Sequence, residues 1–316
     1  MSFSSETKQE LLAIKQPQCC QVASLSAMLT IGGYLSLSQA GMQLYFQTTS
    51  LPLARKVIQT VKSLYHVKVD VLAKKGVRLQ KKNQYVMIIK EKAQKIIHEL
   101  GLMHESSGFG QYVDDTLIQK PCCQKAYLRG AFLVSGSINH PSSSSYHLEI
   151  STPSLNLAND ISSIMDNFEL KSKTLQKKKM GLVYIKNSEK IADFLRIVGA
   201  HHALLKFEDE RIKRDFVNSI TRVMNMEIAN QNKTFEAANK QLKNIEIVEK
   251  LVDESTLPKS VTEAMFLRKT YPEASLNELS ELSKKHYPKQ ISKSGLNHRF
   301  RHIASLAKEA LSYYDS

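Results

Sequence analysis

Near the C-terminus, Leu296, Phe300, Ile303 and Ala307 recur at i, i+4, i+7 and i+11, the spacing of one buried helix face. The opposite face of that helix carries Lys293, Ser294, Asn297, His298, Arg301 and His302. Upstream, Ser275-Leu276-Asn277-Glu278 follows Tyr271-Pro272 and has the form of a capping box. It predicts a short helix that buries Leu276, Leu279 and Leu282. A further helix is expected over Ser260–Thr270, and a turn over His286–Gln290. Two short helices, a tight turn and a longer helix starting near Ser292 make a helix-turn-helix order.

Charge sharpens this picture. From Lys284 to Lys308 there are seven Lys and Arg and no Asp or Glu. In a helix-turn-helix the N-terminal residues of the last helix enter the major groove. Asn and Arg suit adenine and guanine edges, while Lys and Ser at a helix start can meet phosphate. The candidate DNA contacts are Ser275, Lys289, Ser292, Lys293, Ser294, Asn297, His298, Arg299, Arg301 and His302. Leu204 to Glu254 holds no Gly or Pro and mixes charges, so it reads as a helical connector. His201-His202 just before it reads as a junction loop or a helix start. The expected division is 1–203, 204–255 and 256–316.

The first 200 residues resemble themselves. Cys19-Cys20-Gln21 precedes Cys122-Cys123-Gln124 by 103 residues, and Ile31-Gly32-Gly33 faces Val134-Ser135-Gly136 at the same offset. Ser50-Leu51-Pro52-Leu53-Ala54 matches Ser154-Leu155-Asn156-Leu157-Ala158 at offset 104. A colinear series of this kind points to a duplicated unit, repeats of about 1–105 and 106–203. In each, a helix begins near the Cys pair and stops at Gly33 or Gly136. An alternating stretch follows, Met42–Thr48 or Tyr146–Ser151, then a helix capped by Ser50 or Ser154. Basic turns, Lys74–Lys82 and Lys171–Gly181, lead to strands at Tyr85–Ile89 and Leu182–Ile185. Helices at Glu91–Leu100 and Ser188–Val198 close the units, giving α-β-β-α-β-β-α twice.

That order, with its paired glycine-ended helices, resembles the LAGLIDADG homing-endonuclease fold. The resemblance implies two motif helices packed at a pseudo-twofold axis and two sheets forming a saddle for duplex DNA. Small residues at Ala27 and Gly130 would permit close helix contact. In the endonucleases an acid precedes the final glycine of each motif and holds a divalent cation. Here those positions are Gly32 and Ser135. Hard cations need carboxylate oxygens, so the sequence argues for a platform that does not cut. The fold class is therefore α+β, a pseudo-twofold LAGLIDADG-like domain followed by an all-α helix-turn-helix domain.

Composition adds limits. The chain has 316 residues, with 42% apolar and 23% charged, as expected of a globular protein. Its net charge of +14 is concentrated at the two ends. Residues 1–200 hold 25 basic against 14 acidic side chains, and residues 256–316 hold 10 against 6. Such a balance favours a polyanionic partner. The clusters Lys74-Lys75, Lys81-Lys82 and Lys177-Lys178-Lys179 could meet phosphates or simply keep hairpin tips solvated. No apolar run nears the roughly 18 residues that span a bilayer, and Met1–Glu10 lacks a signal core. A cytoplasmic, nucleoid-associated protein with reduced thiols is expected, with no membrane partner. Structural zinc prefers Cys-x2-4-Cys, and adjacent cysteines point apart on a helix. The Cys pairs thus read as small apolar residues at helix starts, and no metal or cofactor is expected.

Three stretches extend the resemblance over nearly the full chain. They are Ala126-Tyr127-Leu128-Arg129-Gly130-Ala131-Phe132, the Asn225-x-Glu227-x-Ala229-Asn230-x-x-Lys233-Thr234 run, and Tyr271-Pro272-Glu273-Ala274-Ser275-Leu276 with Ser292 to Arg299. On these the chain resembles the WhiA family of bacterial DNA-binding proteins. The resemblance implies a degenerate endonuclease-like domain joined to a helix-turn-helix. It also implies roles in cell division and chromosome segregation, and in transcription regulation in sporulating actinomycetes. A non-enzymatic binder of double-stranded DNA is expected. Its N-terminal domain would serve DNA or hold a regulatory or division protein. The competing readings are a residual metal-dependent nuclease and a platform for the division machinery.

Overall fold

The structure is a computed structural model and describes residues 2–38, 41–74, 83–104 and 108–314. In chain order its elements are α1 (Phe3–Leu12), α2 (Gln18–Gly32), β1 (Gly33–Ser38), β2 (Gly41–Thr48), α3 (Leu51–Tyr65), β3 (Val69–Lys74), β4 (Gln84–Ile89), α4 (Ala93–Glu99), β5 (Met103–His104) and β6 (Gly108–Phe109). There follow α5 (Pro121–Ser135), β7 (Gly136–Ile138), β8 (Leu148–Thr152), α6 (Leu155–Asp166), β9 (Lys173–Lys177), β10 (Met180–Ile185), α7 (Ser188–Val198), α8 (His201–Leu251), α9 (Lys259–Thr270), α10 (Leu276–Ser283) and α11 (Lys293–Tyr314). Two compact units emerge, residues 1–215 and 216–316, and the division falls inside α8.

In the first unit the repeat becomes visible as geometry. Both four-stranded sheets are antiparallel with the same order, β1-β2-β4-β3 and β7-β8-β10-β9. Leu44 pairs with Ile89, and its counterpart Leu148 pairs with Ile185. All four are buried, so the shared register places one apolar row of each sheet in the core. Ser50 and Ser154 each cap a helix, accepting from the amides of Leu53 and Leu157.

The helices α2 and α5 pack against one another through small residues. Ala23, Ala27 and Ala126 are fully buried, and a Cβ added at Gly130 would lie 2.4 Å from the Ser24 carbonyl oxygen. The glycine is what lets the two backbones approach. Phe132, Phe194, Leu25 and Leu29 extend the core on either side.

Several details depart from the sequence reading. The N-terminal stretch forms α1, because Phe3, Thr7 and Leu11 bury one face and Ser4 exchanges two hydrogen bonds with the backbone of Ile138. Within the basic stretch expected as a turn, Lys173–Lys177 is strand β9, and only Lys178-Lys179 turns the chain. Pairing with β10 supplies the ladder that local composition concealed. Lys75, Lys81 and Lys82 lie outside the described residues. The connector is one helix, α8, which starts at His201. No helix among the described residues is long and apolar enough to cross a membrane.

Candidate nucleic-acid interface

The second unit builds a rigid frame for α11. Ser275 accepts from the Glu278 amide at 3.3 Å, and the Glu278 carboxylate accepts from the Ser275 amide at 2.7 Å. Those bonds close the expected capping box and hold the Glu278 carboxyl below its ordinary range. The turn before α11 is pinned from inside. Ser280 donates to the Ile291 carbonyl at 2.7 Å, and the Ile291 amide donates to Ser283 at 2.9 Å. Both serines are buried beside Leu279, whereas Leu276 and Leu282 are only half-buried. That corrects the expected leucine face: α10 sits over the turn by hydrogen bonds as much as by apolar contact. Leu296, Phe300, Ile303 and Ala307 are buried as the spacing predicted, with Ile245 and Val248 of α8 in the same core.

Arg268 is the least expected component. It is 2% exposed, and its guanidinium donates to Gln241 and to the carbonyls of Tyr271, Pro272 and Ala274. Burial pushes it down to about 10. It ties α9 to the loop before α10 and stacks near Phe300, 5.5 Å from the ring centre. No local pattern marks the position; the loop carbonyls closing over it give it meaning.

The structure sorts the ten candidate contacts. Lys293, Ser294, Asn297, His298, Arg301 and His302 are exposed on α11, on turns that follow one another along one side of the helix. No ion pair among the described residues engages Lys289, Lys293 or Arg301, and Lys289 is exposed in the turn. Ser292 is exposed and accepts from the Gly295 amide at 3.1 Å, so it caps α11. Two candidates are committed elsewhere. Arg299 is half-buried and pairs with Glu263 at 2.8 Å, and Ser275 spends its hydroxyl in the capping box.

The outer faces of the sheets are less uniformly basic than a saddle for DNA suggests. One row across the first sheet is Tyr34, Tyr45, Ile88, Asp70; its counterpart in the second is Ser137, Glu149, Tyr184, Lys173. Asp70 is paired with Lys90 at 2.9 Å and Glu149 with His147 at 3.0 Å. Tyr34 and Tyr45 stack with centroids 5.0 Å apart. Among the described residues, lysines without an ion pair stand at the strand ends, at Lys74, Lys173 and Lys177 to Lys179.

At the ends of the motif helices the nuclease positions are closed. A Cβ on Gly32 would lie 2.6 Å from the Phe46 ring and 3.1 Å from Val134, so the seat of an acidic side chain is filled. Ser135 donates its hydroxyl to the Ser151 carbonyl at 2.6 Å. At the other ends of the same helices, however, the cysteines converge. The sulfur atoms of Cys19, Cys20, Cys122 and Cys123 lie within 4.8 Å of one another. Neighbouring sulfurs are 3.9 Å apart in each pair, which corrects the expectation that adjacent cysteines diverge. Burial pushes the Cys20 thiol up to about 12 and the Cys123 thiol to about 11. A hydrogen bond with Cys123 holds the Cys19 thiol below its ordinary value. The signal was present in the sequence, because two pairs at one repeat offset must meet when a pseudo-twofold axis runs between their helices.

Comparison with known proteins covers both units. Family models match as the WhiA N-terminal LAGLIDADG-like domain over residues 18–103, the WhiA LAGLIDADG-like domain over 124–217, and the WhiA C-terminal HTH domain over 220–307. A Bacillus cytotoxicus protein named probable cell division protein WhiA is 43% identical over 309 residues, 98% of this chain and 97% of that protein. A protein of the same name from Bacillus cereus (strain B4264) is 42% identical over equal coverage. The crystal structure of full-length WhiA from Thermatoga maritima has a TM-score of 0.57 at 19% identity, covering 98% of this chain and 99% of that one. At that identity the likeness speaks for the fold.

Proposed function

The chain belongs to the WhiA family, and from that premise we propose that it is a non-enzymatic, sequence-preferring DNA-binding protein of cell division. The observation that carries this reading is the face of α11. Lys293, Ser294, Asn297, His298, Arg301 and His302 are exposed there on a helix whose opposite side is fixed in a core. Asn297 and Arg301 offer bidentate groups for base edges. Lys289, Lys293 and the start of α11 at Ser292 suit phosphates, which set register without reading sequence. Arg299 supports the helix from beneath, and Ser275 shapes the entry to α10. Nuclease action is not part of the proposal, since neither Gly32 nor Ser135 supplies a cation ligand.

The finer roles belong to the same proposal: chromosome segregation, transcription regulation, and residence on the nucleoid in the cytoplasm. The mixed charge of the sheet rows favours a protein partner on the first unit over a second strong DNA site. Residues 256–316 would read DNA, residues 1–203 would hold the partner, and residues 204–255 would connect them.

The test is duplex binding by the full chain at several salt concentrations. Affinity should fall steeply with salt as counterions are released. Asn297→Ala and Arg301→Ala should each lose about 1–3 kcal/mol of preference for a selected site over random duplex. Variants that discriminate as well as the parent would overturn the assignment of α11. Plasmid nicking that requires Mg²⁺ or Mn²⁺ would overturn the non-enzymatic reading.

A further inference from the structure

The four cysteines form a built cluster that the DNA-binding role leaves unused. Cys19 and Cys20 sit in the first turn of α2, and Cys122 and Cys123 in the first turn of α5. All four are free thiols; Cys20 and Cys123 are buried, while Cys19 and Cys122 reach the surface. A tetrahedral zinc ion with Zn–S bonds of about 2.3 Å needs sulfur atoms about 3.8 Å apart along every edge. The pairs stand at 3.9 Å, and no two sulfurs of the four are farther apart than 4.8 Å. Disulfide sulfurs would be about 2 Å apart. The cluster therefore has the dimensions of a metal site, within small movements of the side chains.

The surroundings fit an anionic centre. Neither helix has a side-chain N-cap; the Cys123 amide donates to the Lys120 carbonyl at 2.9 Å and Pro121 has no N–H, which leaves the first-turn amides of α2 and that of Cys122 to face thiolate sulfur. Four thiolates on one Zn²⁺ leave a net charge of −2. Two helix N-termini contribute about +0.5 each, and the Arg129 guanidinium of α5, which donates to the Val198 carbonyl at 2.7 Å, adds positive charge that interacts with Cys20. A cavity of about 250 Å³, lined by Cys19, Thr116, Lys120 and Cys123, gives an ion a way in. Around the cysteines the buried cluster of Cys20, Ala23, Cys123 and Ala126 is built of small side chains from both helices.

We propose that Cys19, Cys20, Cys122 and Cys123 are the ligands of one structural zinc ion that cross-links the two repeats at the N-terminal ends of their central helices. Each sulfur gives up its proton on binding, so as many as four protons are released per ion and affinity rises with pH. Four sulfur ligands close the coordination shell and leave no place for a reactive water. The site lies twelve residues from Gly32 along α2, about 18 Å at 1.5 Å per residue, far from the positions at which a nuclease cation would sit. The inference is independent of the DNA-binding proposal.

The test uses the full chain purified under reducing, oxygen-free conditions. Elemental analysis should find about one zinc per chain. Exchange with Co²⁺ should give the visible absorption of a tetrahedral tetrathiolate. Cys19→Ser and Cys122→Ser, at the two exposed positions, should each weaken cobalt binding at least tenfold and change that spectrum. A chelator should lower the melting temperature of the parent but not of the doubly substituted chain. Four titratable thiols with no metal after equilibration with zinc chloride would overturn the proposal. So would bound iron, a disulfide seen by intact mass, or metal retained by the double variant.

Discussion

Replacing Gly130 with alanine inserts a methyl group where α2 and α5 come closest. The new Cβ would stand 2.4 Å from the Ser24 carbonyl oxygen, 3.1 Å from its carbon and 3.0 Å from the Ala27 Cβ. Every one of those atoms is backbone or a Cβ, so no rotamer change relieves the overlap and the helices themselves must separate. Overpacking costs about 1–3 kcal/mol, and an approach of 2.4 Å to a backbone oxygen belongs at the upper end, about 2–3 kcal/mol. Alanine recovers up to about 1 kcal/mol of helix propensity, leaving a net loss of about 1–2 kcal/mol. For a unit of this size the melting temperature should fall by roughly 2–8 °C. Gly295→Ala in α11 is the control, because its nearest atoms are the Ser292 hydroxyl at 3.3 Å and Ile291 at 3.5 Å. That substitution should be neutral or stabilising. Calorimetry of the full chain, with metal content held constant, checks both. A Gly130→Ala chain as stable as the parent would refute the close-contact argument.

Further outcomes follow from the second unit. Arg299→Ala should destabilise by about 1–3 kcal/mol by stranding half-buried Glu263, whereas Arg301→Ala should leave denaturant stability within about 0.5 kcal/mol of the parent. Arg268→Met should cost about 2–4 kcal/mol in chemical denaturation, since three loop carbonyls and Gln241 lose a buried donor. The depressed Glu278 carboxyl stabilises α10 above its unfolded value near 4.5, and that contribution is lost as pH falls through the lower folded value. Glu278→Gln should flatten the stability profile in that acid window, which melting curves between pH 2 and 6 would reveal.

How legible the chain was depended on the range of the interaction. The α11 face, the Ser275 box and the Ser50 and Ser154 caps are local, governed by residues three or four apart, and they stand where the pattern put them. The duplicated order survived as colinear offsets, because each repeat must solve the same packing problem. Features that depend on distant partners were hidden. The ion pair of Arg299 with Glu263, 36 residues earlier, leaves no trace in the local pattern that names Arg299 as a candidate DNA contact. Strand β9 looks like a lysine-rich turn until β10 pairs with it. Each cysteine pair, taken on its own helix, shows nothing of the other, and the packing of α2 on α5 brings the four sulfurs together.

Phe46 has a consequence for how such a chain could change. Its ring stands in the space that a side chain at residue 32 would need. Seating a pair of carboxylates at the ends of α2 and α5 would demand a smaller residue at 46, an acid at 32 and another at 135, with the Ser135 tether to β8 undone. None of those steps gives catalysis alone, and shrinking a fully buried Phe costs about 3–5 kcal/mol at once. Any route to such a pair of acids therefore begins with a loss of stability, which selection on stability alone would oppose.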